Sequence, residues 1–371
     1  MKFLIPQVSL SKIVNLGQSV ADKRNTMPIL YNFKLEVFDG LLKIIASDLE
    51  VTLVQQINVS EAQNGAIAVN AKTFTEGINE LPEGLVSIQV IDRNRLLVEC
   101  ESTSLKFVGY SANEYPTPPG IDLFTSSLID GKRFEQMLRK TIFAASVDET
   151  RFNLNAVCMV SLKDENSLKM VATDGYRLAV AIQNIEDLQI LEQILVPRKG
   201  IIELRKLLGD EINKKDIKIG VTKEFLILET PDAKLAIRLI DSEFPEYQQA
   251  IPQGQCELVV VDATLFSNAL RRVSLVITDK GKGAKFHFEG NTLLLSASSA
   301  ELGDAEDEVP INYSGAPLTI GFNARYLSDL VQAYGETGPL HIELRGPFAA
   351  TKFFSPDDQN AFGIVMPMRI D

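Results

Sequence analysis

Histidine is scarce in this chain, with only His287 and His341 in 371 residues. Both fall in strand-like segments, and His287 alternates with Phe286 and Phe288, which reads as a solvent-facing strand position. No HxxxH, CxxC or HExxH spacing exists, so no metal site is implied. Cysteine is equally sparse. Cys100, Cys158 and Cys256 are odd in number, far apart and set in apolar stretches, the pattern of buried free thiols in a reducing compartment. No apolar run approaches the ~20 residues of a membrane span. The opening Met1-Lys2-Phe3-Leu4-Ile5-Pro6 reads as a strand and lacks a signal peptide's apolar core. These features predict a soluble, cytoplasmic protein with no membrane partner. Catalytic signatures are missing too: no G-x-S-x-G elbow, no P-loop and no glycine-rich dinucleotide turn. Gly281-Lys282-Gly283 reads as a flexible loop, and the acidic run Asp304 to Glu308 as a solvated loop. Nothing here implies a catalytic residue or a cofactor.

What is present is ample apolar content, 45% hydrophobic, enough for two or three domains. Apolar periodicity predicts helices over 8–20, 71–81, 132–144, 198–208, 263–273 and 324–334. Strand-like runs lie between them, among them 32–37 and 41–46 around Phe38-Asp39-Gly40, a hairpin signal. Landmarks recur at a fixed period. Ala71, Pro197 and Asn323 each open the second helix of a unit and lie 126 residues apart. Asp48, Thr173-Asp174 and Ser298-Ser299 end equivalent strands at nearly the same spacing. Such a period is too long for a solenoid, whose repeats run ~20–50 residues. Each repeat is therefore a domain in its own right. The linker Tyr115 to Gly120 and the prolines Pro245 and Pro252 set the domains at 1–121, 122–252 and 253–371.

The chain is organised around Val171 to Val180, where a strand enters Thr173-Asp174-Gly175 and resumes with Tyr176, Arg177 and Leu178. Asp bonds its own backbone in such a turn and Gly accepts positive φ. Charge is the second signal. The chain carries −12 overall, yet its six predicted helices, counted with Asp262 at the start of the fifth, carry +7, leaving −19 for the rest. In the third helix Phe134, Met137, Leu138 and Thr141 share one face, with Lys132, Arg133, Arg139 and Lys140 on the other half. Lys199 and Lys206 repeat the seven-residue spacing in the fourth. Basic helix faces can neutralise phosphates without reading bases. Aromatic platforms interleaved with these cations are missing, which disfavours single strands and points to a duplex held by its backbone.

The Ala172-Thr173-Asp174-Gly175-Tyr176-Arg177-Leu178-Ala179 segment joins Val196-Pro197-Arg198-Lys199-Gly200, Phe244-Pro245-Glu246-Tyr247 and the terminal Met366-Pro367-Met368-Arg369. With three tandem domains, these motifs make the whole chain resemble the bacterial DNA polymerase III beta subunits, the sliding clamps. That resemblance implies an α+β fold of three tandem DNA-clamp domains, each with two helices packed on antiparallel sheets. Two chains would close head to tail into a six-domain ring around duplex DNA. It also implies a non-catalytic processivity factor that tethers the DNA polymerase III catalytic subunit. The clamp loader, other polymerases and repair proteins would bind the same pocket through short peptide motifs. Matched by motif, that pocket takes Leu154, Thr173, Gly175, Tyr176, Arg177 and Leu178, with Pro245, Gln249 and Ala250. The third domain adds Asn323, Tyr326, Phe348, Ile364, Met366, Pro367, Met368 and Arg369. Met side chains suit such shared surfaces. Tyr176 stands where His is commoner, and Gln249 and Ala250 replace a basic and a larger apolar residue. The resemblance places DNA contacts at Arg24 and at the helix cations named above, together with Arg271 and Arg272. Ring closure falls to Leu275 and Val276 against an edge strand near Leu105.

Two other classes fit parts of the sequence. An enzyme centred on Asp174 and Arg177 would lack a base, a nucleophile and a metal set. A monomeric peptide-binding scaffold would share the pocket but would not encircle DNA.

Overall fold

The protein is described by a computed structural model over residues 1–21, 27–92, 94–118, 125–162, 166–185, 193–211, 217–278, 283–334 and 337–369. Arg24, most of the Gly281-Lys282-Gly283 loop and Asp371 lie outside the described residues. Two compact units emerge. One comprises Met1–Lys132, Asp187–Ile190 and Lys199–Leu239, the other Arg133–Glu186, Leu191–Arg198 and Ile240–Asp371.

The first unit is built on a 13-stranded sheet. Helices Gln7–Gln18 (α1) and Ala71–Asn79 (α2) pack on each other. The first buries Gln7, Leu10, Ile13, Val14 and Gly17, one face at helical spacing. The buried Gln7 amide donates to the Ile78 carbonyl at 2.8 Å, so a polar residue inside the pair is satisfied. Asn70 caps α2, its side chain accepting from the Thr73 N–H at 3.0 Å. The hairpin at Asp39-Gly40 closes with both residues at positive φ, 49° and 79°, the twist a two-residue turn requires. The strands Val51–Asn58 and Ala233–Arg238 pair antiparallel from Val51↔Ile237 to Gln55↔Ala233. Strands from the first repeat thus join strands from the second in one sheet.

The second unit repeats this device with a 12-stranded sheet. Here Arg177–Asn184 pairs with Asp358–Val365, Arg177 opposite Val365 and Ala181 opposite Ala361. Most of the helix Gly131–Ile142 (α3) belongs to this unit, and Arg198–Glu211 (α4) belongs mostly to the first. Ala263–Val273 (α5) and Ala324–Tyr334 (α6) pack over a core of Phe266, Phe286, Phe288, Phe322 and Phe353. Asp262 caps α5 by accepting from the Leu265 N–H at 2.9 Å.

Three expectations change. Residues 304–308 are not a loop but the middle of the strand Gly303–Asn312. Its alternation turns Asp304, Glu306 and Glu308 outward while Val309 and Ile311 enter the core, and Asp307 pairs with Arg272 of α5. Cys256 is exposed, although Cys100 and Cys158 are buried free thiols. Tyr115, assigned to a linker, is buried against Leu30, Ile45 and Ala68.

Candidate partner-docking cleft

The turn at 173–177 is held by its own side chains. Asp174 Oδ1 accepts from the N–H groups of Tyr176 at 2.9 Å and Arg177 at 3.0 Å. Thr173 Oγ1 donates to the Arg177 carbonyl at 2.6 Å and accepts from the Gly175 N–H at 3.1 Å. Gly175 takes φ of +94°, which a side chain would resist. The result leaves Tyr176 62% exposed beside a rigid corner.

Arg177 points the other way. Its guanidinium is buried, bonding Asp174 Oδ2 through Nε at 3.0 Å and Asp329 Oδ2 of α6 through Nη1 at 2.7 Å. It also lies over the Tyr326 ring, 4.3 Å from the centroid. Its charge is thus spent inside the unit, where it ties the turn to α6. Burial pushes the Tyr326 hydroxyl above its ordinary pKa.

The C-terminal tail completes the arrangement. The Met366 N–H donates to the Tyr176 carbonyl at 2.8 Å and the Met368 N–H to Gly321 O at 2.7 Å. Leu178 and Ile364 sit opposite each other in the sheet and pack with Phe244, Tyr247, Ile251 and Ala350. Leu154, Leu178, Ile364 and Asn323 are buried, whereas Pro245, Gln249, Ala250, Phe348, Met366, Met368 and Arg369 are exposed. Gln249 donates to Glu246 Oε2 at 3.2 Å. Thr173, Tyr326 and Pro367 are half-buried. Phe348, Met368 and Arg369 line a cavity of about 580 Å³ with Lys285, Thr319, Gly321 and Pro347. An apolar surface on a hydrogen-bonded support suits a short segment of another chain, whose affinity comes from large buried anchors. Among the described residues no cluster of three His, Cys, Asp or Glu side chains is placed to hold a metal. Sequence reasoning missed Asp329, which anchors Arg177, and Lys285, Thr319 and Pro347, which read only as ordinary surface positions.

The helix cations divide. Lys132, Arg133, Arg271 and Arg272 are exposed, and Arg139 donates to the Gln332 carbonyl at 3.2 Å. Lys140 is a correction: it is buried and ion-paired with Asp358, so its charge does not reach the surface. Lys199 pairs with Asp48, Lys206 with Glu203 and Arg272 with Asp307. Glu203 stands three residues before Lys206 on the same helix, but helical spacing says nothing of Asp48, Asp307 and Asp358, which other elements bring alongside.

Among the described residues, two strands inside the sheets are unpaired on one side over part of their length. Thr103–Tyr110 pairs with Arg95–Cys100 from Thr103 to Val108, but with Gly65–Asn70 only at Gly109 and Tyr110. Leu105 lies on this strand, half-buried, beside Phe107, which stacks edge-on against Phe74 of α2. In the other unit Gly303–Asn312 pairs along Thr292–Ser299, but meets Glu257–Asp262 only at Ile311 and Asn312. Leu275, in the turn after α5, is 77% exposed, and Val276 packs partly on the core.

Helix pairs on shared antiparallel sheets beside an apolar cleft are the features of a repeat-built docking protein. Models of the DNA polymerase III beta subunit match the chain in three parts. The N-terminal domain matches residues 1–119, the central domain 125–246 and the C-terminal domain 248–369. The chain belongs to the DNA polymerase III beta subunit family. It is 30% identical to the beta sliding clamp of Caulobacter vibrioides over 377 residues, covering 100% of both. A solved Caulobacter crescentus beta sliding clamp with polyethylene glycol in its beta-motif tethering region superposes with a TM-score of 0.90 at 30% identity, covering 100% of this chain and 99% of that one. A Pseudomonas aeruginosa sliding clamp bound to griselimycin gives 0.88 at 30% identity, with 100% of each chain covered.

Proposed function

We propose that this protein is a ring-forming processivity factor: a sliding clamp that encircles duplex DNA and carries no catalytic activity of its own. The observation that carries this reading is the full-length match to beta sliding clamps, three domains in order. Docked partners are the DNA polymerase III catalytic subunit, the clamp loader, and other polymerases and repair proteins presenting short apolar motifs. Tethering raises the polymerase's effective concentration at the primer end, so processivity follows without any contact at the chemistry. The ring slides because phosphate contacts carry no sequence information.

In this reading the domains divide at 121/122 and 252/253. Tyr176, Phe348, Met366 and Met368 offer the docking surface, with Leu154, Leu178 and Ile364 as its floor. Thr173, Gly175, Arg177, Asn323 and Tyr326 hold it in shape, and Pro245, Gln249, Ala250, Pro367 and Arg369 form its rim. DNA contacts fall to Lys132, Arg133, Arg139 and Arg271, with Lys199, Lys206 and Arg272 shared between phosphate and their acidic neighbours. Arg24 is the loop candidate. Two chains close head to tail where the open edge at Leu105 of one meets the 303–309 edge and Leu275 and Val276 of the other. The compartment is the cytoplasm, where free thiols persist.

The test is loading onto nicked circular DNA with the clamp loader, followed by linearisation. Protein that travels with the circle and is lost when ends appear supports encirclement. Protein that stays on the linear product binds by affinity, and the sliding mechanism fails.

A further inference from the structure

Several helix cations are held by acids that the fold fixes in place. In the first unit Lys206 Nζ donates to Glu203 Oε1 at 2.9 Å, one turn back on α4. The Lys206 side chain is 44% exposed and that of Glu203 only 6%, and Glu203 Oε2 accepts a second bond from Ser19 Oγ at 2.7 Å. Lys199 pairs with Asp48 in the same unit, and Asp48 Oδ1 is already engaged by the N–H groups of Glu50 and Val51. In the second unit the exposed Arg272 of α5 pairs with the better-buried Asp307. Asp307 stands on the inward row of Gly303–Asn312 that also carries Val309 and Ile311, so the strand sets its position. In each pair the acid is the more buried partner and the one tied to the scaffold.

We propose that Glu203 and Asp307, and Asp48 in the same manner, are positioning residues that weaken the grip of the helix cations on duplex DNA, so that a closed ring slides instead of binding in place. This rests on the sliding-clamp reading above. A cation with a carboxylate beside it presents little net charge, so a phosphate meeting it releases few of the counterions condensed on DNA. The phosphate must also part the pair, whose strength lies in the range of an exposed ion pair. The seating of the acids matters. A carboxylate on a flexible exposed stem would swing away from an incoming phosphate, whereas Glu203, tied to Ser19, and Asp307, set in a strand, stay beside their cations.

The experiment is fluorescence anisotropy of the full chain with a short fluorescein-labelled linear duplex, repeated over a series of salt concentrations. Glu203→Gln and Asp307→Asn keep the shape of each acid and remove its charge. Each is expected to tighten binding about two- to fivefold at low salt, the size of one exposed ion pair. Each should also steepen the fall of log affinity with log salt by up to about 0.9 for every cation freed. Adding Lys206→Gln to the first variant and Arg272→Gln to the second cancels both changes, which a purely structural role for the acids would not produce. Glu224→Gln frees Arg238 on a strand and controls for net charge, leaving affinity and slope as they were. Unchanged affinity and slope in both acid variants overturns the proposal, and so does an equal gain from Glu224→Gln. In either case, retention of the unaltered ring on circular DNA keeps the encirclement reading. Absence of both duplex binding and retention in the unaltered protein overturns the two together. Lys206 and Arg272 lie on different helices, so loss of folding in one variant leaves the other to decide.

Discussion

Arg177 and Asp329 lie 152 residues apart in the chain and meet at 2.7 Å, joining the 173–177 turn to α6. The same guanidinium holds Asp174, which itself shapes the turn. One side chain therefore links the strand that carries Leu178 to the helix that carries Tyr326, and the cleft inherits its rigidity from that link.

Arg177→Ala should leave two carboxylates facing an emptied site and cost about 3 kcal/mol, the range for breaking a buried pair from one side. Arg177→Lys recovers only part, because an ammonium cannot reproduce the fork that spans both acids. Urea titration measures both. A loss under about 0.5 kcal/mol for the alanine variant would contradict this account.

Two glycines of α4 make a matched pair. A methyl group at Gly200 would lie 2.2 Å from Ile237 Cγ2, whereas Gly209 has nothing within 4 Å. Gly200→Ala should destabilise by about 1–3 kcal/mol through overpacking. Gly209→Ala should stabilise by up to about 1 kcal/mol through helix propensity. The opposite signs are checked in parallel urea titrations.

The thiols give a pH signature. Burial pushes Cys158 from its ordinary value of 9.0 to about 12. Its folded pKa is raised, so this contribution is full below pH 9 and is lost as pH climbs toward 12, where the unfolded chain releases the proton first. Replacing Cys158 with Ala should flatten the alkaline fall in stability, followed by melting temperature against pH. At pH 8 a thiol reagent should label only Cys256 in the native protein, because Cys100 and Cys158 are buried. All three react once the chain unfolds.

Leu275→Asp places a charge where the proposed second chain must close. Loss of a central apolar anchor costs about 2 kcal/mol or more, so dimer dissociation should rise roughly thirtyfold. Sedimentation analysis reads the shift directly, and retention on circular DNA should fall with it. An unchanged dimer would remove Leu275 from the interface.

Much of the fold was legible because its signals are local. The bounds of α5 and α6 follow from apolar periodicity. The Asp174 turn was readable for the same reason. The short polar strand Ser60–Gln63 and the acidic Gly303–Asn312 were not, since only their neighbours in the sheet make them strands. Long-range partners were equally hidden. Lys140 read as a surface cation until Asp358, 218 residues away, was found beside it. Of the site, the turn and tail were visible as motifs, but the recess under Phe348 depends on Lys285 facing a glycine across a strand pair, which no local pattern records.

The outward row Asp304, Glu306 and Glu308 has a bearing on quality control during assembly. An incompletely paired strand invites any other strand to join it, including its own copy. Two such edges brought together would align like charges along their length and push each other away. The strand Thr103–Tyr110 contains no acid and carries Lys106 on its exposed row. In the proposed ring the acidic row would meet an edge that carries Lys106 and no acid, rather than its own copy. If the ring closes as proposed, stray pairing of like edges into open-ended aggregates should be disfavoured relative to closure.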